Sequence, residues 1–149
     1  MDILIYEHFL GEDYKDQLSP LILNEAKLII NTIIKDLSLE YSDSKISLLL
    51  NKKNKNLIDC CNCLYRNYHN DVTTDISNKI KKNDKVLVLA PEENLIMYDL
   101  IKSIEDKQIS HLNSSSSFIS KSTNKFELNV LLQNSKKYLI KTYKNYEKI

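Results

Sequence analysis

Tyr6-Glu7-His8 sets a carboxylate beside an imidazole at the end of a short apolar run. A carboxylate there suits a charged substrate, and an imidazole can hold or move a proton near neutral pH. Extended chain argues against a shared site, because adjacent side chains point to opposite sides. Glu92 and Glu93 follow Ala90-Pro91. They suit an amine or a metal-bound nucleotide, and they equally suit the start of a helix through its dipole. Glu25 stands one turn into a helix opened by Ser19-Pro20, where it complements the dipole or faces a ligand. Asn113-Ser-Ser-Ser-Ser117 offers hydroxyls and backbone N–H groups at a helix start, which makes an anion site or a plain cap. Ser114 and Ser115 have no evident base partner, which excludes a serine hydrolase.

Composition removes whole classes of chemistry. Gly11 is the only glycine in 149 residues, so neither a dinucleotide fingerprint nor a P-loop can be built from this chain. Lys and Arg total 21 against 20 Asp and Glu, giving a net charge of +1. That balance makes no electrostatic case for nucleic acid or an anionic membrane. All but one of the cations are Lys, the exception being Arg66, so little bidentate fork chemistry is on offer. Together with 16 Asn and 18 Ile, the Lys excess reads as the coding bias of an AT-rich genome. Cys60, Cys61 and Cys63 crowd together without partners elsewhere, as reduced thiols in or beside a short strand. His8, His69 and His111 have no finger-like spacing to them, so no metal site is expected. Residues 1–6 are too short for a signal-peptide core, and no apolar run reaches the roughly 18 residues of a membrane span. The expected location is cytoplasmic.

The elements that must position these groups follow from the apolar pattern. Residues 2–6, 45–50 and 85–90 are short apolar runs typical of strands buried on both faces, and 61–68 is a weaker strand. Leu21, Ile22, Ala26, Ile29, Ile30, Ile33, Ile34 and Leu37 recur at helical spacing. Residues 7–19 read as a polar loop. Further helices are predicted over 74–82, 93–107, 118–122 and 124–133, with a brief strand over 108–112. The alternation specifies an α/β fold, a three-layer Rossmann-like domain with a mainly parallel sheet of about four to five strands and helices on both faces. Ligands in such sheets bind beyond the carboxyl ends of the strands. Those ends are residues 7–11, 51–53, 90–93 and 113–115.

Taken in order, these segments resemble a known family. Ile3-Leu-Ile-Tyr-Glu7, its glycine-containing loop, and the helix with Glu25-Ala26 look like the opening of certain archaeal ATP-grasp proteins, of the tyramine–glutamate ligase-like group. Val86-Leu-Val-Leu-Ala-Pro-Glu92, then Leu100 to Ile104, then His111-Leu-Asn-Ser-Ser115 are similar to the next part. Ser122-Thr-Asn-Lys125 followed by Leu131-Leu132 resembles the Ser-Asp-Lys segment that opens the nucleotide-grasp domain. Asn124 replaces the usual Asp, and Ala26 the usual Gly.

The resemblance implies an ATP-dependent carboxylate–amine ligase, which activates a carboxylate as an acyl phosphate and lets an amine displace it. Residues 1–122 would be the pre-ATP-grasp domain, and 123–149 the start of the grasp domain or a linker. Glu7, His8, Glu25 and Glu92 are the candidate substrate-binding residues. Lys125, Ser114 and Ser115 are the candidate nucleotide-binding residues. No catalytic residue and no metal ligand is assigned. The complete enzyme would use ATP and Mg2+, with neither expected in this chain alone. The chain reads as an excised domain, a truncated product or one part of a split enzyme. Its partners would be the missing grasp domain and small amine and carboxylate substrates, with a homodimer through Tyr138, Tyr143 and Tyr146 as a further possibility. The competing expectation is a free-standing Rossmann-like binding or regulatory module without catalytic activity.

Overall fold

The computed structural model describes residues 1–14, 18–58 and 62–132. Four strands form one parallel sheet in the order β3-β2-β1-β4: β1 (Ile3–Glu7), β2 (Ile46–Leu50), β3 (Asn62–Tyr65) and β4 (Lys85–Leu89). The α/β expectation is met, with four strands. Every residue of β1 and β2 is buried, as their unbroken apolar runs require of strands covered on both sides. Ile3, Ile5, Leu48 and Leu50 face Ala26, Ile30 and Ile34 of α2 (Pro20–Glu40). Leu4, Tyr6, Leu49, Val86 and Val88 point the other way. They meet Ile76 of α3 (Val72–Lys79), Ile101 and Ile104 of α4 (Ile96–Asp106) and Ile119 of α5 (Ser116–Thr123). A further helix, α6, spans Lys125–Leu131. Among the described residues, no helix is long and apolar enough to cross a membrane.

Local chemistry explains where the elements begin and end. The Ser19 hydroxyl accepts the Leu21 N–H at 3.3 Å and Pro20 holds the first helical position, so α2 starts as its sequence requires. The stretch read as loop contains one helical turn, α1 (His8–Gly11), which Glu7 caps through the Leu10 N–H. The helix predicted over 74–82 begins earlier, because Asp71 accepts the Thr74 N–H at 2.7 Å and sets the start at Val72. The helix predicted from Glu93 opens as one 3-10 turn, Glu93–Leu95, and α4 proper begins at Ile96. Asn94 and Leu95 are left-handed there (φ 53° and 61°), which separates the two.

The strand predicted over 108–112 reduces to a single parallel bridge between Val86 and His111. Asn113 carries the pairing one step further: its amide accepts the Val88 N–H at 2.9 Å and donates to the Val88 carbonyl at 2.8 Å. The weaker strand is shorter than its prediction, and Cys63 lies half-buried within it with its thiol 3.9 Å from the Ile58 carbonyl. Cys60 and Cys61 lie outside the described residues, as do Tyr138, Tyr143 and Tyr146.

Candidate functional site

The chain leaves β1 for β2 and β3 on one side and then crosses to β4 on the other. The connections after β1 and β4 therefore diverge, and a crevice opens beyond the carboxyl ends of those two strands. The structure has a cleft of about 740 Å³ at this position. Glu7, Phe9 and Tyr14 line it from the segment after β1, Glu25 and Ala26 from α2, and Pro91, Glu92 and Glu93 from the segment after β4. Among the described residues, four that line it are carboxylates and none is Lys or Arg. Aromatic and aliphatic side chains make up most of the remaining wall.

Glu7 is the deepest of the four, 5% exposed. One of its oxygens accepts the Leu10 N–H at 2.7 Å. Burial pushes its carboxyl above the usual carboxylate range, against the opposing pull of the Leu10 and Phe9 N–H groups. Glu25, Glu92 and Glu93 are exposed at the rim. Apolar walls with acids at the rim and one buried acid suit a ligand with an apolar body and an ammonium group.

His8 does not join this cleft. Successive side chains diverge at the strand end, and His8 lines a separate hollow of about 450 Å³ with Glu12, Asp71, Thr73 and Lys107. Its ring packs edge-on against Phe9 and Tyr14 at 5.7 and 5.8 Å between centroids. Burial lowers its pKa, and its Nδ1 is buried without a hydrogen-bond partner. Burial thus favours the neutral imidazole, which serves here as a packed ring.

The pre ATP-grasp 3 domain model matches residues 44–119, half of the chain. The chain belongs to this family. It is also 33% identical over 128 residues to the tyramine–L-glutamate ligase of Methanocaldococcus jannaschii, a match that covers 83% of this chain. It spans 40% of the length of that relative. A crystal structure of an ATP-grasp superfamily protein from Archaeoglobus fulgidus matches 90% of this chain and 40% of its own, with a TM-score of 0.58 and 20% identity, a likeness of fold. The chain is therefore a pre-ATP-grasp domain related to ATP-grasp superfamily ligases.

In this pre-ATP-grasp domain the serine-rich turn has other work. The Ser115 hydroxyl accepts the Phe118 N–H at 3.2 Å and so caps α5. The Ser116 N–H donates to Glu105 at 3.0 Å, and its hydroxyl bonds the other oxygen of the same carboxylate. Ser114 is exposed, and neither Ser114 nor Ser115 lines the cleft. Lys125 is the first residue of α6, and its side chain lies outside the described structure. Gly11 packs against a fully buried Tyr6, where an added Cβ would lie 2.3 Å from the ring. The one glycine is thus fixed against Tyr6, and the charged residues that line the cleft among the described residues are acidic.

Sequence reasoning passed over a network behind the cleft wall. The Arg66 side chain, 4% exposed, donates through Nε to Asp75 at 3.2 Å, through one terminal nitrogen to Glu12, and through the other to the Asn70 carbonyl at 3.2 Å. The Tyr6 hydroxyl donates to the same Glu12 oxygen at 2.7 Å. Asp75, 1% exposed, also accepts from the Asn67 N–H at 2.9 Å and the Asn70 amide at 3.1 Å. Burial and Glu12 together push the Tyr6 hydroxyl far above its ordinary range, which leaves it a fixed donor. The one visible signal was the lone arginine itself.

Proposed function

We propose that this domain forms the substrate side of an ATP-dependent carboxylate–amine ligase and that its cleft holds the amine. The observation that carries the reading is the cleft at the strand-order switch, which Glu7, Glu25, Glu92 and Glu93 line with no Lys or Arg beside them among the described residues. A protonated amine satisfies that charge pattern, and its apolar part is matched by the walls from Phe9 and Tyr14. The relative's name supplies tyramine as the first amine to test and L-glutamate as the acid. Activation of the acid as an acyl phosphate, with ATP and Mg2+, belongs in this reading to the part of such a ligase outside the 40% of the relative's length that these residues span. The chain alone is then a binding domain without turnover.

Calorimetric titration of the chain with tyramine and with N-acetyltyramine tests the reading. Tyramine should bind and the acetylated, uncharged analogue should not. Glu25→Gln and Glu92→Gln should each weaken tyramine about two- to five-fold, the scale of an exposed ion pair. Equal binding of the two ligands, or none of either, contradicts it.

A further inference from the structure

We infer that Arg66 is a positioning residue for the amine cleft, acting through Glu12 on the segment that forms one cleft wall. This rests on the amine reading and adds a residue that touches no ligand. Glu12 lies between Phe9 and Tyr14, both of which line the cleft together with Glu7. The backbone of this segment is tied to the neighbouring strand end. The Leu10 carbonyl accepts the Asn51 N–H at 2.8 Å and the Asn54 amide at 2.9 Å, and the Glu12 carbonyl accepts the Asn51 amide at 3.2 Å. Those bonds fix the path of the chain. The Glu12 side chain is fixed separately, by Arg66 and the Tyr6 hydroxyl.

Arg66 is itself rigidly placed. Its N–H donates to the Leu50 carbonyl at 3.1 Å, one step past the end of β3. Asp75, on α3, orients its guanidinium from the far side, and Tyr68 lies 5.5 Å beneath it. The network thus joins β1, the segment after it, the segment after β3, and α3. A guanidinium can serve Glu12, Asp75 and a carbonyl at once because its donors are fixed in a planar fork, whereas an ammonium is a point charge on a flexible stem. In a chain with 20 Lys, the single Arg occupies the position where that fork is used. A buried ion pair adds little net stability over an apolar replacement, so stability alone does not account for this one, and the part of the fold that it holds is the cleft wall.

The test compares wild type, Arg66→Lys, Glu12→Gln and the double variant for tyramine affinity, each in buffer where urea unfolding shows it more than 99% folded, a criterion that requires roughly 2.7 kcal/mol of stability. A merely structural role moves the unfolding midpoint and leaves the affinity of the folded protein unchanged. The expected result is a loss of roughly tenfold in affinity for each single variant, with no further loss in the double, because both break one contact. Glu12→Gln leaves the Arg66–Asp75 pair in place, so it decides the matter even where Arg66→Lys does not fold. Wild-type affinity in Glu12→Gln, or additive losses in the double variant, overturns the inference while tyramine binding by wild type stands. A wild type that binds no amine removes the cleft reading, and this inference with it.

Discussion

Glu7 is asked to be both a helix cap and a buried acid. Its carboxylate caps α1, while burial holds its pKa above the usual range. Folding therefore favours the protonated form. The stability this contributes is full below the ordinary Glu value of about 4.3 and is lost as pH rises through the raised folded value. Ionising the buried group opposes its burial, and an ammonium in the cleft would offset that cost. Glu7→Gln keeps an oxygen that can accept the Leu10 N–H and removes the buried charge. Urea unfolding at pH 7 should show this variant as stable as wild type or more so, with weakened tyramine binding. A loss of more than about 1 kcal/mol would show that capping by the charged group outweighs its burial. In wild type, tyramine affinity should begin to fall on acidification at a higher pH than an ordinary Glu would give, and Glu7→Gln should flatten that step.

Scarcity of glycine shapes the elements. Helices commonly end with a left-handed glycine, and α4 ends instead with Gln108 at φ 56°. The turn still closes, with the Gln108 N–H on Glu105 at 2.8 Å and the Ile109 N–H on Ile104 at 3.1 Å. A side chain at such a position costs roughly 1 kcal/mol that glycine would not. Gln108 is exposed, so Gln108→Gly removes little packing and should raise the unfolding free energy by about 1 kcal/mol, read as a shift in urea midpoint at unchanged slope. The same scarcity explains what the chain pattern conceals. β1, β2 and β4 are legible because apolar runs without polar interruption fit strands covered on both faces. α2 is legible because Ser19-Pro20 is a strong start. The break at Asn94 and Leu95 is not, because Pro91-Glu92-Glu93 is as good a helix opening as any and no glycine marks the left-handed pair. Glu7, Glu25 and Glu92 could be named in advance because a strand end and two helix starts dictate where they fall. Arg66 could not, because its tie to Glu12 crosses 54 positions of sequence and depends on which strands are neighbours.

At the scale of the whole molecule, the question is what this chain does by itself. It spans 40% of the length of the tyramine–L-glutamate ligase it resembles. Phosphate recognition needs backbone N–H groups at close approach or a set of cations. The single glycine is held against Tyr6, the serine-rich turn caps α5 and bonds Glu105, and the cleft presents four carboxylates. Among the described residues, the four carboxylates of this cleft would repel a polyphosphate. We therefore expect MgATP alone to leave the thermal midpoint of the chain unchanged, and to remain unhydrolysed with or without tyramine and L-glutamate. The measurement is sensitive: a site filled at a hundred times its Kd adds about 2.7 kcal/mol, which raises the midpoint of a domain this size by roughly 5–10 °C. Tyramine gives the internal standard, since a ligand of the cleft should raise the midpoint where MgATP does not. Phosphate release that requires both the amine and the acid would show that these residues carry the full reaction, and would overturn the assignment of this domain to binding alone.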